Sequence, residues 1–177
     1  MNWNFSLDGW EVRLPVTDQD GDALFELMSS GHRLEHIPKQ PLVASVQALD
    51  ELRRMNMRFQ AHQAAFWLVF DVDQSLRAMI SLEEINWIQS TARLQWIADE
   101  TFDLEALKAC LWPIQKLIFE ELELNRLEVR LKATDGQAVE ELTALGFQHE
   151  GYLPAQIEFE GLSVDLQIWS LLATDIG

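Results

Sequence analysis

The stretch Ala92 to Phe119, ARLQWIADETFDLEALKACLWPIQKLIF, limits the fold more than any other part of the chain. It opens as a strand, because Leu94, Trp96 and Ala98 alternate with Arg93, Gln95 and Asp99, and becomes a helix whose apolar residues recur three and four apart. A second alternating run follows, Leu127, Val129 and Leu131 against Glu128, Arg130 and Lys132. Strands joined through a helix are parallel neighbours, whereas strands joined by short turns are antiparallel. A junction from strand to helix is also where many folds hold a phosphate, on bare N–H groups at the positive end of the helix dipole. Here the junction is Asp99, Glu100, Thr101, Phe102, Asp103, which has no glycine and no cation but has carboxylates where a phosphate would sit.

The other elements read in order. Trp10 to Leu14 is a short strand closed by Pro15, and Thr17 with Asp20 opens a helix through Ala23, Leu24, Leu27 and Met28. The segment from Gly31 to Pro41 is a loop, and Ser45 caps a second helix whose apolar side is Val46, Leu49, Leu52, Met55 and Phe59. Its outer face carries Arg53, Arg54 and Arg58. Ala65 to Asp71 and Leu76 to Glu84 form a hairpin leading through Trp87 to Ser90 into the strand at Ala92. The long helix runs from about Leu104 to Leu124, and Pro113 should kink it, because proline removes one backbone hydrogen bond. A last helix from Asp135 stops at Gly146, and Gln148 to Glu160 with Leu162 to Leu172 close the chain as a hairpin. No repeat or linker divides residues 1–177, so one α+β domain, a mixed α/β layer, is expected.

Composition narrows the partners. A formal charge of −16 over 177 residues excludes the clustered cations that nucleic acid requires. It favours an amine or a basic protein surface. The lone Cys110 rules out an internal disulfide framework, as expected of a cytoplasmic protein. The start MNWNFSLDGW lacks the features of a secretory signal, and no apolar run is long enough to span a membrane.

The segment LELNRLEVRLKATDGQAVEELTALGFQHEGYL, Leu122 to Leu153, resembles the GNAT superfamily of acetyl-CoA-dependent N-acetyltransferases, in particular the branch that acetylates ribosomal-protein N-termini. Asn125, Arg126, Leu145, Gly146, Phe147, Glu150 and Gly151 match that branch in type and spacing. Arg13, the RLQW at Arg93 to Trp96 and the closing VDLQIWSLL match further. The resemblance implies a mixed sheet of about seven strands with four helices, splayed between the strands around Trp96 and Val129. It implies acetyl-CoA as cofactor and a protein N-terminus or small amine as acceptor, with a monomer or homodimer. By the same resemblance Ile97 and Ala98 would hold the pantetheine arm, and Leu104, Glu105, Asp135 and Ala138 fall where the family contacts the cofactor. The chain departs from the family at the glycine-rich pyrophosphate loop, which is deleted between Trp96 and Glu105. It departs again at Asp135, where the family has asparagine, and at Ala138, where this branch has the serine thought to protonate the thiolate.

Amine acetylation needs a base, and Glu83, Glu84, Glu100 and Glu158 are acidic residues at strand ends near the expected centre. His36, Trp67 and Trp96 are candidates for the acceptor side. His32 and His36 stand four apart with no third metal ligand, so no metal is expected. Two functions follow: an N-acetyltransferase, or a GNAT-derived binding module that no longer takes coenzyme A.

Overall fold

The computed structural model describes residues 1–29 and 40–176. Its strands are β1 (Phe5–Leu7), β2 (Trp10–Arg13), β3 (Ala65–Asp71), β4 (Leu76–Asn86), β5 (Thr91–Ala98), β6 (Arg126–Lys132), β7 (Gln148–Phe159) and β8 (Leu162–Leu172). The helices are α1 (Gly21–Ser29), α2 (Ser45–Gln60), α3 (Leu104–Lys116) and α4 (Gly136–Ala144). All eight strands form one sheet in the order β1-β2-β3-β4-β5-β6-β8-β7. The expected count of about seven misses β1, which pairs antiparallel with β2 across a turn where Gly9 takes φ +81°. Of the strand pairs, β5 and β6 are the parallel one, joined by α3 as the sequence requires.

Helices cover both faces of the sheet, and the strand patterns record it. Leu24, Leu27, Leu52 and Met55 of α1 and α2 pack on Phe66, Leu68, Phe70, Met79 and Ile97. On the other face Leu107, Cys110, Leu111 and Ile114 of α3 and Leu142 of α4 pack on Trp67, Ile80, Leu94, Trp96 and Leu127. β3 lies under both layers, so AFWLVF is a continuous apolar run. β6 is buried only at alternate residues, because its Arg126, Glu128 and Arg130 face lies beyond the reach of α1 and α2. Cys110 is fully buried, and desolvation pushes its thiol up to about 12, which makes it inert.

Three local expectations change. α2 is not capped by Ser45: Ala44 is the cap residue, and Gln47 reaches back to accept from the Val43 and Ala44 amides at 2.8 and 3.0 Å. At α1 the anchoring side chain is Asp20 rather than Thr17. It accepts from the Val16 amide at 2.6 Å and holds Arg13 in a two-pronged pair at 2.7 and 2.8 Å. The long helix, expected to reach about Leu124, ends as α3 at Lys116 and continues as a π-helical turn over Leu117–Glu121 closed by the Leu122 amide on the Leu117 carbonyl at 2.9 Å. The wider turn keeps Leu117 and Ile118 together in the core before the chain enters β6.

Glu150 ties β7 to β6 across β8. Hydrogen bonds from Arg126, 2.8 Å at Oε1, and from Ser170, 2.7 Å, hold its carboxyl down from 4.5 to about 2. A depressed carboxylate stabilises the fold fully above its unfolded value, and that contribution fades as pH falls from 4.5 through about 2. The side chain is 40% exposed, so screening limits the effect to about 1 kcal/mol or less. Glu150→Gln is therefore expected to flatten the acid limb of stability between those two pH values and to leave its neutral-to-alkaline slope unchanged. Urea denaturation across pH measures both.

Candidate functional site

The β5–β6 ladder is short. It pairs Thr91 with Arg126, Ala92 with Leu127 and Arg93 with Glu128, and then the strands part. Both run on, β5 to Ala98 and β6 to Lys132, and beyond that point, among the described residues, each is paired with the strand on its outer side, β4 and β8. Their facing edges thus carry N–H and C=O groups with no strand between them, in a part of the molecule where backbone groups need partners. This is the splay expected around Trp96 and Val129. Gln95, Trp96, Arg130, Leu131, Ala138 and Leu142 line the crevice, whose open space is only about 10 Å³, room for about one water.

The turn after β5 is built from its own carboxylates. Asp99 accepts from the Thr101 amide and hydroxyl at 2.9 and 2.6 Å, and Arg77 bridges it, at 3.0 Å, to Asp71, at 2.6 Å. Burial alone would raise the Asp99 carboxyl, but the bonds from Thr101 and Arg77 outweigh it and hold the group below its ordinary value. Asp71 is lowered too, first by the Ser75 amide and then by Arg77. Phe102 is buried and meets Trp10 edge-on at 5.2 Å, which fixes the turn to the core. Asp103 then caps α3, accepting from the Ala106 amide at 2.9 Å. The end of the helix that would receive a diphosphate is thereby occupied by a carboxylate of the same chain. Glu105 adds a second, exposed and paired with Lys108 at 3.0 Å.

The sequence candidates scatter around this frame. Ala98 is buried, and Ile97 faces the α1–α2 side. Leu104 is the first residue of α3, and Asp135 caps α4 through the Ala138 amide at 3.0 Å. Ala138 and Trp96 are in the crevice wall. Glu83 lies one hydrogen bond away: it accepts from Gln95, from Ser81 at 3.1 Å and from Arg58 at 2.7 Å. Three donors on one carboxylate make it an anchor for Gln95 more than a free base. Glu84 sits in a bulge and pairs with Arg93 at 2.7 Å.

Other candidates lie elsewhere. Glu100 lines a separate cavity of about 410 Å³ beside α1, and Glu158 is exposed opposite Ser163 near the hairpin tip. Trp67 departs from its expected place on the acceptor side. It is 0% exposed inside the core, its indole donating to the Trp3 carbonyl at 3.0 Å, so it presents nothing to a substrate. His36, with His32, lies outside the described residues. Gln95, Arg130 and Leu142 are crevice residues that alternation alone did not reveal, because a parted strand edge exposes both of its faces.

No family model matches the chain, and no curated protein matches its sequence. Solved structures do. The ribosomal-protein-S5-alanine acetyltransferase of Vibrio fischeri superposes with a TM-score of 0.86 at 16% identity, covering 99% of this chain and 100% of that one. A ribosomal L7/L12 alpha-N-protein acetyltransferase in complex with coenzyme A gives 0.85 at 15% identity, with 94% and 95% covered. Spermidine N-acetyltransferase from Vibrio cholerae, in complex with CoA and spermine, gives 0.80 at 19% identity, with 96% and 98% covered. The chain has the fold of these acetyltransferases from end to end.

Proposed function

We propose that this chain, whose fold is that of the GNAT acetyltransferases, transfers acetyl to a primary amine and grips its donor by the pantetheine arm alone. One observation carries the reading: the β5 and β6 edges part beyond Arg93 and Glu128 and leave backbone donors and acceptors facing each other. An extended chain bearing amides is the chemical complement of two such edges. Acetyl-CoA would bring that arm and an activated acyl group. The residues here fit the arm in hydrogen bonding, and Trp96 and Leu142 must turn aside to admit it, given the present 10 Å³. They do not fit the diphosphate, because Asp103 already takes the Ala106 amide at the helix end and Asp99, Glu100 and Glu105 oppose further negative charge. An acceptor amine would approach from the face that carries Gln95 and Arg130, with Glu83 positioning the Gln95 amide.

A second reading is a binding module that takes no coenzyme A. Titration calorimetry with acetyl-CoA and with S-acetyl-pantetheine separates the two. Dissociation constants within about threefold of each other are expected, since the nucleotide end adds no contact. Acetyl-CoA binding more than about a hundredfold tighter would show a diphosphate anchor and overturn the proposal. No heat from either ligand leaves the module.

A further inference from the structure

An apolar cavity near the chain start shares no lining residue with the β5–β6 crevice and plays no part in the function proposed above. It holds about 490 Å³, a volume typical of small-molecule sites, between the end of α2, the end of β4 and the π-helical turn. Its walls include Trp3, Phe59, Ile85 and Trp87. Trp3 is fixed by stacking on Trp67 at 5.9 Å and by edge contact with Phe59 at 5.0 Å. Trp87 is 47% exposed yet held, its indole N–H donating to the His62 carbonyl at 2.8 Å. A large aromatic surface left open to water while its polar atom is pinned is an unusual use of tryptophan. His62 is itself a non-glycine residue with φ +56°, and the π-helical turn delivers Glu121 to the same cavity. π-Helical turns are frequent at functional sites, whereas the left-handed His62 is the ordinary close of α2, with the Gln63 amide on the Arg58 carbonyl at 2.9 Å.

We propose that this cavity binds an organic cation with a compact apolar body, such as a quaternary ammonium group. Indole and phenyl faces are negative at their centres and attract such cations, whereas a hydrated anion gains nothing there. Glu121 lies on the rim with the Met1 ammonium 3.8 Å away, so its charge is shared with a resident cation, and it is the net charge of −16 that concentrates cations around the molecule. The site is separate from the acetyl-transfer reading and stands if that reading fails.

Choline and its uncharged isostere 3,3-dimethylbutan-1-ol test it on the full chain, followed through the indole N–H resonances of the seven tryptophans. Choline is expected to bind with a dissociation constant on the order of 1 mM and to shift the Trp87 and Trp3 signals. The alcohol should bind roughly tenfold more weakly. Trp87→Ala and Glu121→Gln should each weaken choline about threefold to tenfold. Trp112→Ala, which removes another exposed indole that does not line the cavity, should leave binding intact. Because Trp87 lies on a surface connection, its loss does not empty the core, and Trp87→Phe should retain part of the affinity. Equal affinity for choline and the alcohol, an unaltered constant in Trp87→Ala, loss of binding in Trp112→Ala, or no shift at roughly 50 mM choline would each overturn the assignment.

Discussion

Trp96→Ala should lose about 3–5 kcal/mol of folding stability and at the same time open the crevice between β5 and β6. The side chain is 3% exposed and belongs to the main core, where it fills the angle between the parted strands and α4. Removing it creates a void that Val129, Leu131 and Leu142 cannot close, since each is held by its own strand or helix. Denaturant unfolding reads the loss of stability. Titration with S-acetyl-pantetheine reads the gain of space, and the variant should bind the arm more tightly than the parent, because the indole no longer has to move. A loss below about 1 kcal/mol would mean that the crevice wall is not packed core. Unchanged affinity would mean that Trp96 does not guard the arm's path.

The second large effect is expected at Asp20. This carboxylate, nearly inaccessible to water, accepts two bonds from Arg13 and one from the Val16 amide. Arg13 itself lies over the Phe70 ring at 4.4 Å. Asp20→Ala leaves the Val16 amide without its acceptor and the part-buried guanidinium with only the Leu14 carbonyl at 3.1 Å and Glu11 at 3.9 Å, which should cost about 3 kcal/mol, the lower end of the range for a broken buried pair because Arg13 keeps those partners and some solvent. Arg13→Met alone should cost less, since Asp20 retains its amide partner. In the double variant the losses should add up to less than their sum, and thermal unfolding of all four proteins closes the cycle. Full additivity would show that the two side chains do not interact.

Several features of the fold were legible because they follow from period and punctuation. The alternation at Leu94, Trp96 and Ala98, the helical spacing after Leu104 and the second alternation at Leu127 require a parallel pair, and the structure has it. The acidic turn was equally plain, whereas the structure supplied the Asp103 cap on the Ala106 amide. The functional reach of Trp67 was not legible. A strand buried on both faces and a strand lining a pocket have the same apolar spelling, and only the placement of α2 and α3 tells them apart. The π-helical turn also escaped, because Pro113 marks where a helix is weakened but not where packing absorbs the strain.

From its residues alone this chain sets a mixed sheet with one helical crossover and a strand-to-helix junction that carries carboxylates without glycine or cation, because periodicity and local charge act over a few residues. Tertiary packing decided the rest. It stopped the β5–β6 ladder at Arg93, closed the crevice with Trp96 against Leu142, moved Trp67 into the core and brought Trp87 and Glu121 to one cavity. Those outcomes depend on contacts between segments far apart in the chain, which no local pattern encodes.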